Sequence, residues 1–153
     1  VRRTGCGSDV PRWHLARLCG TRRAHLMREF LLVCMAGAAG TGARFALSSG
    51  IGMLLGTQFP YGTILVNVVG SFFISAIAYA STVSELVSPT LRLVLTTGFL
   101  GGFTTYSACN HETVVSLQQE MWVRALANVG VTLFACLGAG FAGVAAARRL
   151  LGG

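Results

Sequence analysis

Apolar residues fall into four long blocks separated by short polar or charged punctuation. Between Arg44 and Glu85 there is no charged residue, a run of 40 positions, and its one obvious turn is Gln58-Phe-Pro-Tyr-Gly62. Leu93 to His111 forms another uncharged run, and Ala125 to Ala147 forms a last one of 23 residues, bracketed by Arg124 and Arg148-Arg149. A helix needs about 20 apolar residues to cross the hydrocarbon of a bilayer. The pattern therefore predicts four spans, at about 30–50, 62–84, 91–116 and 124–147. A soluble helical core would need charged faces at helical spacing, which these blocks lack. The expected fold is an all-α integral membrane protein of four transmembrane helices.

The third block is unlike the others. It reads Gly98-Phe-Leu-Gly-Gly-Phe-Thr-Thr-Tyr-Ser-Ala-Cys-Asn110, two adjacent glycines followed by clustered hydroxyls and aromatics. Glycine loses most on ordering and leaves its carbonyls uncovered, so a break of the third helix is expected at Gly101–Gly102. Freed carbonyls are cation ligands and hydroxyls are anion donors, which points to ion handling. Irregular backbone at membrane depth survives only where protein or a watery path covers it.

Polar residues within the other spans extend this pattern. Asn67 lies mid-span, with two amide donors and an acceptor. Asn128 and Thr132 stand one helical turn apart, and Cys136 continues the same face. A stripe of this kind serves either interhelical hydrogen bonds or a permeating ion. Glycines 37, 40 and 42 in the first span and 130, 138, 140 and 143 in the fourth suit close helix packing. Four helices enclose little volume, so a pathway calls for a second copy.

Charge changes the picture in two places. Residues 1–26 hold six of the twelve arginines, one aspartate and no apolar run, and they are treated apart from the four-span domain of residues 27–153. Met27 onward reads as an ordinary membrane-protein start, which makes the extension a candidate upstream-start artefact; the other reading is an arm for anionic lipid or nucleic acid. Without those six arginines and the aspartate, the formal charge falls from +7 to +2. A nucleic-acid partner then loses its basis. Across the spans, Arg28, Arg92, Arg148 and Arg149 face one side against Arg124 and Arg44 on the other, a weak orientation bias compatible with dual insertion and antiparallel pairing.

Catalysis has little support. Cysteines 6, 19, 34, 109 and 136 show no metal-ligand spacing, and His111-Glu112 near Cys109, placed at the end of a span, has no orienting third group. A proton-coupled drug antiporter would need a carboxylate inside a span, whereas Glu85, Glu112 and Glu120 fall at segment ends.

The segments Gly37-Ala-Ala-Gly-Thr-Gly-Ala-Arg44, Gly62-Thr-Ile-Leu-Val-Asn-Val-Val-Gly-Ser-Phe72 and Gly98-Phe-Leu-Gly-Gly-Phe-Thr-Thr-Tyr-Ser107, in this order, resemble the Fluc/CrcB fluoride channels over about residues 27–150. The resemblance implies a bacterial inner-membrane, multi-pass channel that exports fluoride passively through two pores at an antiparallel homodimer interface. It implies that Asn67 donates to the ion, with Thr105, Tyr106, Ser107, Cys109, Asn128, Thr132 and Cys136 along the path. It further implies a structural sodium ion on the dimer axis, bound by the Gly101 and Thr104 carbonyls. Two ring positions of the family read Tyr106 and Cys109 here. Arg44 is expected to serve a vestibule or to anchor the span. A non-conducting partner subunit is the alternative, should the Cys109 departure have closed the pore.

Overall fold

The computed structural model describes residues 12–84 and 87–152, with side chains in the first helix at Arg23 and from His25 onward. Residues 1–11 of the basic extension, and Glu85, lie outside the described residues. Apart from short connections, the described residues are helical: α1 (Arg12–Leu55), α2 (Tyr61–Val83), α3 (Pro89–Leu93), a π-helical turn (Val94–Leu100), α4 (Gly101–Phe103), α5 (Tyr106–Gln118) and α6 (Trp122–Leu150).

Among the described residues, three helical stretches are long and apolar enough to cross a membrane, His25–Leu55, Tyr61–Val83 and Trp122–Leu150. The third expected span is a segmented run from Pro89 to Gln118. Helix α1 outruns its expected span at both ends. Its 44 residues extend roughly 66 Å at 1.5 Å per residue, about twice the hydrocarbon thickness. It stops where Gly56 adopts φ 78°, the left-handed conformation that favours glycine after a helix. Arg44, expected near the end of the first span, is instead inside α1 and half-buried.

The surface is inverted relative to a water-soluble protein. Phe45, Met53, Val123, Leu126, Phe134 and Phe141 are exposed, whereas Asn67, Thr105, Ser116 and Asn128 are buried. Exposed apolar faces around a polar interior suit lipid surroundings. Helix α2 packs against α6, α1 against the π-helical turn and α4, and α5 against α6. Near the start of α6 the Arg124 guanidinium donates to the Thr57 carbonyl just ahead of α2 (3.5 Å), and farther along Gly140 and Gly143 meet α2 between Ser71 and Ala76, so α2 and α6 run in the same direction.

The break in the third segment is not at Gly101–Gly102. Backbone there stays helical, and it becomes extended at Thr104 (φ −81°, ψ 157°) and Thr105 (φ −152°, ψ 114°). Gly98 and Gly102 serve packing. A Cβ on Gly102 would overlap the Gly37 carbonyl of α1, and one on Gly98 would come within 2.8 Å of the Ala36 Cβ. Gly40, Gly143 and Gly140 meet neighbouring helices as expected. Gly42, Gly130 and Gly138 do not: a Cβ on any of them would have nothing within 4 Å, and they face outward.

Helix α5 ends in a turn with an unusual residue. Met121 N–H donates to the Ser116 carbonyl (2.9 Å) and Glu120 N–H to the Leu117 carbonyl (3.0 Å), the paired bonds of a Schellman cap. Glu120 occupies the left-handed position, at φ 59°, where glycine is usual. Replacing Glu120 by glycine is expected to stabilise the protein by about 1 kcal/mol, seen as a raised thermal midpoint in detergent. An unchanged or lower midpoint would contradict this reading of the turn.

Candidate functional site

Asn67 creates the site by closing the break. Its Nδ2 donates to the Thr105 carbonyl (2.9 Å) and its Oδ1 accepts from the Thr105 N–H (2.7 Å). An amide thus replaces both helical partners that an extended residue loses, which matters because Thr105 and Asn67 are both buried. The second amide N–H of Asn67 remains for the groove that this residue lines. Thr105 then starts α5, its hydroxyl accepting from the Ala108 N–H at 3.1 Å. On the other side of the break, the Thr104 methyl fills the space where a side chain on Gly70 would stand.

The same bonds release two carbonyls. In a continuous helix the Gly101 carbonyl would receive Thr105 N–H and the Thr104 carbonyl would receive Ala108 N–H. Those donors are engaged by Asn67 Oδ1 and Thr105 Oγ1. Two hard oxygen donors lacking their helical partners fit a small alkali cation, by the chemistry of the donor set.

Helices α2, α5 and α6 enclose a groove of about 800 Å³, open along one side. Of the expected pathway residues, Asn67, Thr105, Tyr106, Cys109, Thr132 and Cys136 line it. Ser107 does not: it is exposed, with its hydroxyl 3.2 Å from that of Thr105. Asn128 does not either. It is 1% exposed and sits behind the wall, donating to the Cys109 carbonyl (3.2 Å) and the Thr113 hydroxyl (2.9 Å). Its Oδ1 accepts from Thr132 Oγ1 at 3.5 Å, and Cys109 Sγ lies 3.7 Å from the same hydroxyl. Asn128 therefore holds α5 to α6 and orients Thr132. Tyr106, at 85% exposure, stands at the open rim.

The groove lining carries no formal charge. Arg44 and Glu112 are outside it. Glu112, expected at a span end, is instead inside α5 and half-buried, and it accepts the Thr63 hydroxyl of α2. Ser71, Ser75, Asn110 and Thr113 also line the groove, and the sequence did not mark them for it. Ser71 and Ser75 lie four and eight residues after Asn67, a same-face spacing visible in the sequence.

Restoring the ring at position 109 probes the groove directly. Cys109→Phe is expected to preserve or raise ion flux, since the thiol is a weak donor and a ring edge is a better one. Cys34 and Cys136, and with them Cys6 and Cys19, would be replaced first, so that a small polar thiol reagent, expected to block the protein retaining Cys109, reports on that residue alone. A folded Cys109→Phe protein without flux would show that the path has been rebuilt around the smaller side chain.

Comparison with known proteins places this geometry in a family. Residues 31–144, well over half of the chain, match the family described as CrcB-like protein, Camphor Resistance (CrcB). A protein of Sorangium cellulosum named Fluoride-specific ion channel FluC is 48% identical over 127 residues, covering 83% of this chain and 100% of that protein. Proteins with the same name from Anaeromyxobacter dehalogenans (46% over 126 residues, 82% of this chain) and Geobacter sulfurreducens (43% over 124 residues, 81% of this chain) are matched over their full length. With its lipid-suited exterior, its Asn67-closed break and these relatives, the chain belongs to the CrcB family.

Proposed function

We propose that the chain is a subunit of a fluoride-selective channel that lets fluoride leave the cell passively, and that it acts as an antiparallel homodimer in the bacterial inner membrane. The observation that carries this reading is the uncharged groove in which Asn67, Thr105 and Thr132 converge. Fluoride is small and strongly hydrated, so a path must replace water with donors, and neutral amides and hydroxyls do so without trapping the ion. Relatives named as fluoride-specific channels support the choice of ion.

The groove is open on one side, with Tyr106 exposed at its rim and Phe141 beside it. A second copy laid across that side would close the path, and two grooves would give two pores. The Gly101 and Thr104 carbonyls would hold a sodium ion between copies. When bound, the ion supplies positive charge that fixes the broken segments. Thr105, anchored by Asn67, keeps those carbonyls turned away from helical pairing.

Pairing is tested with one engineered terminal cysteine on a chain beginning at Met27 and otherwise lacking cysteine. Impermeant thiol reagents should label it from both sides of the membrane. Labelling from one side alone would refute dual insertion. Flux from the purified protein by itself separates a channel from a non-conducting partner subunit.

A further inference from the structure

Donors on the α6 wall of the groove run out after Thr132. The next residues of that face are Cys136, Gly140 and Val144, among Leu133, Leu137 and Phe141. A thiol is a weak donor and the rest offer none, so an ion moving along this half against α6 alone would be stripped of water without compensation.

The α2 wall is different. Ser71 and Ser75 continue the line from Asn67 at successive turns and both border the groove. At four residues per step they carry it roughly 12 Å along α2. Because α2 and α6 run in the same direction, these serines stand beside the donor-poor half. Ser75 Oγ lies 3.1 Å from where a Cβ on Gly140 would be, so the glycine leaves the space that the hydroxyl faces.

Their hydroxyls also differ from most others in the bundle. Hydroxyls in apolar helices ordinarily bond back to a carbonyl three or four residues earlier. Ser81, Thr82 and Ser84 do so at the end of α2, as do Thr96, Thr113 and Ser116 elsewhere. Among the described residues, Ser71 Oγ and Ser75 Oγ make no such bond; Ser48, Ser49 and Thr97 make none either, but of these five only Ser71 and Ser75 border the groove.

We propose that the Ser71 and Ser75 hydroxyls are fluoride-contacting donors that carry the ion through the half of the groove where α6 offers none. The proposal rests on the channel reading above. As fluoride passes, Asn67 hands it to Ser71 and Ser71 to Ser75, each rotor turning its O–H toward the ion without a covalent step.

The test is fluoride efflux from liposomes, normalised to reconstituted dimer, for the unmodified protein, Ser71→Ala, Ser75→Ala, the double alanine variant, and Ser71→Thr with Ser75→Thr. Loss of a charge-assisted donor should slow flux roughly tenfold per site, and threonine should restore most of it. Absence of flux from the unmodified protein would overturn the channel reading itself. With that protein active, three results overturn the assignment of the serines: full flux from the double alanine variant, loss that threonine fails to restore, or loss that tracks disappearance of the dimer. The last two would assign the serines to packing.

Discussion

Replacing Asn67 by leucine is expected to abolish measurable fluoride efflux, a fall of at least a hundredfold. Leucine fills similar space but ends both bonds to Thr105, at 2.9 and 2.7 Å. The Thr105 N–H and carbonyl are then left buried without partners, at about 1–3 kcal/mol each. No water is at hand in a membrane interior to relieve them. The extended pair Thr104–Thr105 loses its hydrogen-bonded side-chain brace from α2, and the groove loses the remaining amide N–H. Asn67→Asp separates the two roles. Aspartate still accepts from Thr105 N–H but cannot donate to its carbonyl, and its charge opposes an anion. It is expected to fold better than the leucine variant in detergent and to conduct no better. Substantial fluoride flux through either variant would contradict the place given to Asn67.

A second large effect is expected at Gly40, which is buried where α1 meets the π-helical turn. A Cβ there would overlap the Phe99 carbonyl and reach 3.1 Å from the Phe103 nitrogen. Those neighbours are backbone, so no side chain can rotate away. Gly40→Ala should cost about 1–3 kcal/mol or more through overpacking and deplete folded protein eluting at the dimer position in detergent. Gly42→Ala is the matched control. Nothing lies within 4 Å of that position, and the substitution should leave folding and flux unchanged. Equal behaviour of the two variants would mean that α1 does not pack on the third segment as described.

Much of this architecture is legible from local pattern. The uncharged run from Arg44 to Glu85 places α2, and the run bracketed by Arg124 and Arg148 places α6. Asn67 is conspicuous because an amide in an apolar helix needs a reason. The break is different. Local propensity points to Gly101–Gly102, yet these residues remain helical, and at Gly102 the backbone of α1 approaches too closely for a side chain. The extended residues are Thr104 and Thr105, stabilised by an amide 38 positions away in sequence. No window along the chain contains both partners.

The polar stripe on α6 divides in a similar way. Asn128, Thr132 and Cys136 share a face, as their spacing requires, but the face is wide enough to put Asn128 behind the wall and the other two on it. Glu112 reads as the end of a span until Thr63 is seen to draw it into the bundle. Ser71 and Ser75 stand at one-turn spacing from Asn67 in the sequence itself. Serine is common in membrane helices, and only the missing back-bonds together with a place on the groove set these two apart.

Passive fluoride efflux from liposomes holding the purified protein alone tests the central claim most directly. With potassium fluoride inside and valinomycin to carry the countercharge, fluoride should leave rapidly, while chloride under the same gradient should be retained. Equal release of both ions, or retention of fluoride by liposomes that contain folded dimer, would contradict a fluoride-selective path built from neutral donors around Asn67.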